Sequence, residues 1–326
     1  AYYLHFIKYG EAEGRTATGV TELQNAVTIY GGVDYSDVYD YNYYVANNSD
    51  VFKAFGYDDD AVLAHFVNCG MSEGRQGSAD FSVASYRLAY RDLRAAYGSD
   101  LKAYYLHFIK YGEAEGRTAT GVTELQDAVT VYRGVDYSAV YDYGYYIANN
   151  PDVLRVLGDD ENVVLAHFVN YGMGEGRQGN ATFNVTSYRL AYRDLRAAYG
   201  SDLKAYYLHF IKYGEAEGRT ATGVTELQDA VTVYGGVDYS DVYDYNYYVA
   251  NNPDVFEAFG YDDDAVLAHF VTYGMGEGRQ GSTSFDVGAY QQRYADLRAA
   301  FGSNLKAYYL HYIQYGKAEG RIAVAD

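Results

Sequence analysis

Tryptophan is absent from this chain of 326 residues, proline occurs twice and cysteine once. The single cysteine, Cys69, excludes an internal disulfide framework and any cysteine-based zinc knuckle. No apolar run approaches the roughly 18–20 residues that a membrane span needs, and the N-terminus lacks the basic-then-apolar pattern of a signal peptide. Basic residues are also scarce: 25 Lys and Arg stand against 44 Asp and Glu, a net charge of −19. A surface of that sign argues against a DNA or RNA partner, because phosphate neutralisation needs basic groups.

The chain does have tyrosine, 43 in all, within a hydrophobic fraction of 49% and an aromatic fraction of 17%. That is too apolar for disorder and ample for buried cores. Such a bias signals repetition, and the histidines show its period. His5, His107, His209 and His311 step by 102 residues, as do His65, His167 and His269, and Ser85 to Tyr132 is identical to Ser187 to Tyr234. A shorter period of 42 is nested inside, since Tyr44, Asp50, Gly56, His65, Gly70, Gly74 and Arg75 return as Tyr86, Asp92, Gly98, His107, Gly112, Gly116 and Arg117. Each long repeat therefore holds two half-units. Three modules follow, at 33–117, 135–219 and 237–321, with the C-terminal end of a preceding module at 1–17 and inter-module segments at 18–32, 118–134 and 220–236. The opening string Ala1-Tyr2-Tyr3-Leu4-His5 recurs inside the chain, so the sequence reads as cut from a longer protein.

Within a half-unit the pattern is helical. Ser99 and Asp100 supply an N-cap, Leu101, Tyr105, Phe108 and Ile109 share one face, and Gly112 is expected to end the helix in a left-handed conformation. The Asp58–Asp60 run caps the matching helix before Val62, Leu63, Phe66 and Val67. Asn150-Pro151-Asp152 predicts a short helix ending at Gly158, and Tyr145 to Asn149 predicts another before it. The fold class is therefore all-α: a tandem array of short-helix modules with internal pseudo-two-fold half-repeats. The inter-module stretch at Val129 to Tyr132 is β-leaning and predicts a short extended linker.

All seven histidines occupy one repeated helical slot and none pairs with another at i, i+4, so they read as buried or half-buried rings bonded to a carbonyl or carboxylate, not as metal ligands. Gly172-Met173-Gly174-Glu175-Gly176-Arg177 follows a predicted helix and lacks the Lys-Ser/Thr of a phosphate loop. Arg75 and Arg117 are expected to pair with Asp50 and Asp92 and so close each half-unit. The acidic runs Asp58–Asp60 and Asp262–Asp264 lack the alternation of a calcium loop and read as caps. Tyr171 and Tyr273 stand in the slot of Cys69, which therefore reads as a tolerated core substitution. No catalytic residue, metal or cofactor is expected.

Tyrosine is the class best suited to binding. Five tyrosines in the ten residues Tyr35 to Tyr44 are too many for one helical stripe, so some are expected at the surface, where a rigid apolar face with a hydrogen-bonding tip makes a recognition surface. The candidates are Tyr35, Tyr39 and Tyr41, with Tyr137, Tyr141 and Tyr143, and Tyr239, Tyr243 and Tyr245 in the other modules. The alternative is a joining loop that uses tyrosine as mortar.

The strings Gly32 to Asp40, Asn252-Pro253-Asp254-Val255, Ala268 to Arg279 and Tyr308 to Arg321 resemble a tyrosine-rich repeat of large extracellular proteins of Gram-positive anaerobic bacteria. The phrase His-Phe-x-x-Tyr-Gly-x-x-Glu-Gly-Arg carries the resemblance, which covers the chain outside the inter-module segments. It implies a secreted or cell-surface accessory module without catalysis, and it brings no assigned ligand. Tandem near-identical modules raise avidity for a repetitive target, so the expected function is multivalent, adhesin-like binding of a host glycoprotein or a mucin or cell-wall glycan. An immunoglobulin-binding array is one alternative, and a wall-attachment or spacer module of a larger cell-wall enzyme is another.

Overall fold

The computed structural model describes residues 2–10, 12–15 and 17–325. Its chain is all-α, built of tandem helical modules, with paired strands of only two residues beside the helices. The first half-unit of module 1 contains helices Tyr41–Asn47, Ser49–Phe55 and Asp59–His65, each seven residues long. Helices this short do not stand alone in water, so caps and tertiary packing hold them. Asp40 accepts the Tyr43 N–H at 2.7 Å, Asp58 that of Ala61 at 3.1 Å and, in the second half-unit, Asp100 that of Ala103 at 3.3 Å. Of the acidic runs, Asp58 and Asp262 perform the capping role, while Asp59 and Asp263 instead accept the Val27 and Val231 N–H. Pro151 opens the helix Pro151–Leu157, as its fixed φ favours, and Gly158 with φ +75° follows it.

Every histidine helix runs on into a wider π-helical turn, such as Phe66–Gly70 after His65 and Phe108–Gly112 after His107. This corrects the expectation for Gly70 and Gly112. Neither is left-handed; the left-handed glycines are Gly74 and Gly116, four residues later, with φ +73° and +66°. Gly112 is needed for a different reason: a Cβ there would lie 2.9 Å from the Tyr86 hydroxyl, so the wide turn brings backbone against a tyrosine of the same half-unit.

Each half-unit is then closed by its arginine. Arg117 donates to both Asp92 oxygens, at 3.0 and 2.8 Å, and stacks its guanidinium over Tyr90 at 4.6 Å. Arg75 reaches Asp50 at 2.8 Å in the same way. The two half-units interlock through aromatic rings, with Phe66 5.8 Å from Tyr105, and through Lys102 Nζ donating to Val67 O at 2.7 Å.

The chain divides into two compact units, residues 1–128 and 129–326. The first contains module 33–117 around a core that includes Tyr44, Leu63, Phe66, Phe81, Tyr86 and Tyr105. The second contains modules 135–219 and 237–321. Its inter-module segment is a tight antiparallel ladder, Val233 opposite Asp238 and Tyr234 opposite Val237, and Val131–Tyr132 pairs with Val135–Asp136 likewise. The extended linker is therefore a hairpin. No helix among the described residues is long and apolar enough to cross a membrane.

Candidate functional site

The nine candidate tyrosines lie inside the modules. Tyr35, Tyr39 and Tyr41, Tyr137, Tyr141 and Tyr143, and Tyr239, Tyr243 and Tyr245 are each at most 5% exposed. The expectation of an exposed tyrosine surface at these positions is corrected: Tyr35 and Tyr39 lie in the turn that leads into helix Tyr41–Asn47, and this turn packs into the core together with the helix. Tyr41, Tyr143 and Tyr245 spend their hydroxyls on Gly56 O, Asp159 O and Gly260 O at 2.6, 3.0 and 2.6 Å. The mortar reading accounts for these three. Tyr39, Tyr141 and Tyr243 differ, because their hydroxyls are buried without a partner among the described residues.

Tyr243 lines a cleft of about 500 Å³ in module 3, assembled from three separate stretches. Asp229 and Thr232 come from the inter-module segment. Ser240, Asp244, Tyr245, Asn246 and Tyr247 come from the entry to the first helix, and Ser282, Thr283 and Ser284 come from the loop between half-units. Local bonds hold these stretches together. Asn246 Oδ1 accepts the Leu227 N–H at 2.9 Å while its Nδ2 donates to Leu227 O at 3.0 Å. Asp244 N–H donates to Gly281 O at 2.9 Å, and the Asp244 side chain caps Tyr247 N–H at 2.7 Å. Asp229 adopts φ +50°, a left-handed conformation that Asp tolerates better than most residues and that Asn25 and Asp127 share.

The lining is hydroxyl, amide and carboxylate, with no Arg, Lys or His among the described lining residues. Burial pushes the Tyr243 hydroxyl well above its ordinary pKa, so it stays a neutral donor. Just outside the cleft, the Ser240 backbone N–H and then the Thr232 hydroxyl hold Asp238 below the usual carboxylate range. Such a lining offers hydrogen-bond donors and acceptors together with carboxylate charge and no basic group.

Module 1 keeps Thr28, Ser36, Tyr39, Asp40, Tyr41, Asn42, Tyr43 and Ser78 at the matching positions but has Asn25, Ala79 and Asp80 where the cleft has Asp229, Thr283 and Ser284, and Asn42 makes the same two bonds to Leu23. Ser78 Oγ joins Tyr39 Oη as a buried hydroxyl without a described partner. Module 2 departs from the pattern: Gly144 stands in the asparagine slot and Asn180 in the serine slot. The Asn180 side chain is fully engaged, donating to Ala139 O at 3.1 Å and accepting from Phe183 N–H at 2.9 Å. Sequence reasoning found the tyrosines of this region but missed the Asn and Ser residues, whose only signal was their return after 204 residues.

The other candidates fall elsewhere. His107 is buried, His5 is exposed and the remaining histidines are half-buried, so burial is less complete than expected. His5 Nε2 lies 3.4 Å from the Glu13 carboxylate, whereas at the other six histidines the Nδ1 partner is a tyrosine hydroxyl, for instance Tyr86 Oη at 3.0 Å from His107 Nδ1. Cys69 is exposed, which corrects its reading as a core substitution: Tyr171 and Tyr273 in that slot are 63% and 60% exposed and lie against their histidines. Among the described residues no group of three or more His, Cys, Asp or Glu is placed to hold a metal ion. No protein-family model, curated protein or solved structure that was compared with the chain matches it.

Proposed function

We propose that this chain is a non-enzymatic repeat protein of the bacterial surface or exterior that binds a neutral, hydroxyl-rich glycan through the module 3 cleft and the matching residues of module 1. One observation carries the reading: of the five buried side-chain polar atoms without a partner among the described residues, four are hydroxyls at this one place in the module, on Tyr39, Ser78, Tyr141 and Tyr243. Buried polar groups are ordinarily paired, so a recurrent exception marks a position that a ligand or water completes. The absence of basic lining residues and the net charge of −19 favour a neutral glycan over sialylated or phosphorylated polymers. Two sites on one chain add avidity for a repetitive target such as mucin. The resemblance to extracellular repeats of Gram-positive anaerobes supports the location.

The test is binding of the full chain, by surface plasmon resonance, to neutral mucin-type glycans, purified cell wall and immunoglobulin side by side. Neutral glycan is expected to bind, and Tyr43→Ala with Tyr247→Ala to weaken it by roughly 30-fold, as loss of an aromatic anchor does. Binding to immunoglobulin alone would replace this reading with the antibody-capture one. Binding to none of the three would leave a spacer.

A further inference from the structure

Modules 2 and 3 are joined by a buried charge pair. The Arg196 guanidinium lies 3.4 Å from the Asp263 carboxylate, with side chains 3% and 5% exposed. Arg196 is aimed by main chain: Nη1 donates to Arg189 O and Leu190 O at 3.1 and 2.9 Å, and Nη2 to Gln228 O at 2.7 Å. Asp263 is fixed from its own side by the Val231 N–H at 3.0 Å. Leu190 sits in the core of module 3 beside Leu227 and Tyr245, and Arg189 lies over the Tyr261 ring at 5.1 Å. Module 2 thus supplies a plug of Arg189, Leu190 and Arg196. Module 3 and its leading segment supply a socket of Leu227, Val231, Tyr261 and Asp263.

Module 1 carries the same socket in Leu23, Val27, Tyr57 and Asp59. Asp59 accepts the Val27 N–H at 2.9 Å, as Asp263 accepts that of Val231, and has no arginine against it among the described residues. All four positions are more exposed than their counterparts. Leu23, Val27 and Asp59 are half-buried where Leu227, Val231 and Asp263 are buried, and Tyr57 is 73% exposed where Tyr261 is half-buried. The leading helix Tyr2–His5 buries nothing and the turn Phe6–Gly10 buries only Gly10.

The plug face of module 3 is altered. Gln291 and Gln292 stand in the slots of Arg189 and Leu190. Gln291 turns back on its own module, donating to Gly302 O at 2.9 Å and to Tyr308 Oη at 3.3 Å, and Gln292 and Arg298 are exposed.

We propose that the Asp59 face of module 1 is a docking surface for the arginine- and leucine-bearing face of another module of this same repeat, and that Gln291 and Gln292 blank the matching face of module 3. Stacking is therefore directional. A contact between two different faces propagates head to tail, so restoring the plug converts the chain into a head-to-tail oligomer, a ring or an open polymer.

The experiment compares full-length wild type, Gln291→Arg/Gln292→Leu, and the same double variant with Asp59→Asn, by sedimentation velocity over a concentration series, with circular dichroism confirming the fold. Wild type is expected to remain monomeric. The double variant is expected to form concentration-dependent oligomers, and Asp59→Asn to weaken their association by at least about 30-fold, as loss of one partner of a buried charge pair does. A folded double variant that stays monomeric at roughly millimolar protein, where even a weak specific contact is populated, overturns the docking surface. So does association that Asp59→Asn leaves unchanged. Wild type polymerising through Asp59 would overturn the blank.

Discussion

Tyr188 and His209, 21 residues apart, share a hydrogen bond of 2.9 Å between the phenol oxygen and Nδ1. The same pair recurs in every described half-unit, as Tyr44 with His65, Tyr86 with His107, Tyr146 with His167, Tyr248 with His269 and Tyr290 with His311. A neutral imidazole with its proton on Nε2 accepts the phenol proton at Nδ1, whereas a protonated ring has to donate Nδ1–H to the phenol oxygen, which turns the hydroxyl proton away from the ring. Tyr199 and Tyr213 flank the His209 ring at 5.9 and 5.5 Å. The repeated histidine is a structural rivet joining the first helix of a half-unit to its last.

This rivet predicts acid sensitivity. Burial, reinforced by the nearby charge of Arg219, pushes the His209 pKa below its ordinary 6.5. The folded chain then binds this proton less readily than the unfolded chain does. The contribution is fully present above pH 6.5 and is lost as pH falls through and below that value. The carboxylates of Asp92 and Asp194, held low by bonds from Arg117 and Arg219, keep their contribution until much lower pH. The melting temperature is therefore expected to be level between pH 8 and 7 and to fall from pH 6.5 toward 5, with a shallower fall in His209→Gln. Calorimetry across that range checks it, and a melting temperature that rose toward pH 5 would refute it.

The helix–tyrosine contact makes a second prediction. A Cβ on Gly172 would lie 2.6 Å from Tyr146 Oη and 3.2 Å from the Phe168 ring. Gly172→Ala is expected to destabilise the fold by about 1–3 kcal/mol through overpacking. Tyr146→Phe removes the obstructing oxygen, at the cost of the bond to His167. Urea melts of the two single variants and the double should show the double less destabilised than the sum of the singles, the sign of a shared contact.

Much of this architecture was legible in the residues. The 102- and 42-residue periods gave the modules, the Asp caps and Pro151 marked helix starts, and Arg75 does meet Asp50. These signals are local or are copied identically, so no knowledge of packing was needed. The tyrosines were harder: Tyr35, Tyr39 and Tyr41 looked too crowded to be buried when counted on one helical stripe, yet only Tyr41 is helical, and the turn that carries Tyr35 and Tyr39 packs into the core beside it. The cleft was invisible for a related reason. Asp229, Asn246 and Ser282 come from three stretches with no common spacing, and only the fold brings them to one place.

The glycan reading makes a stoichiometric prediction. Module 1 retains Asn42 and Ser78, module 3 retains Asn246 and Ser282, whereas module 2 has Gly144 and an Asn180 whose amide is already bonded to Ala139 and Phe183. Titration calorimetry with a short neutral oligosaccharide is expected to give two sites per chain. Three equal sites would show that neither the asparagine clasp nor the serine slot matters for binding.

The joint between modules 2 and 3 makes the last prediction. Asp263 is 4% exposed and accepts from both Val231 N–H and Arg196, so Asp263→Ala leaves the Arg196 guanidinium buried with its main-chain acceptors but no counter-charge. Removing one partner of a buried pair costs about 3–5 kcal/mol, because the remaining charge is uncompensated. The equivalent change at Asp59, which is half-buried and has no described arginine against it, removes only its bond to Val27 and is expected to cost about 1 kcal/mol. The 3.4 Å separation is long for a charge-assisted bond, so water drawn into the joint can soften the loss at Asp263 toward the lower end of its range. Chemical denaturation followed by tyrosine fluorescence measures both variants against the wild type. Equal, small effects would mean that the Arg196–Asp263 pair is incidental and that Leu190 alone joins the modules.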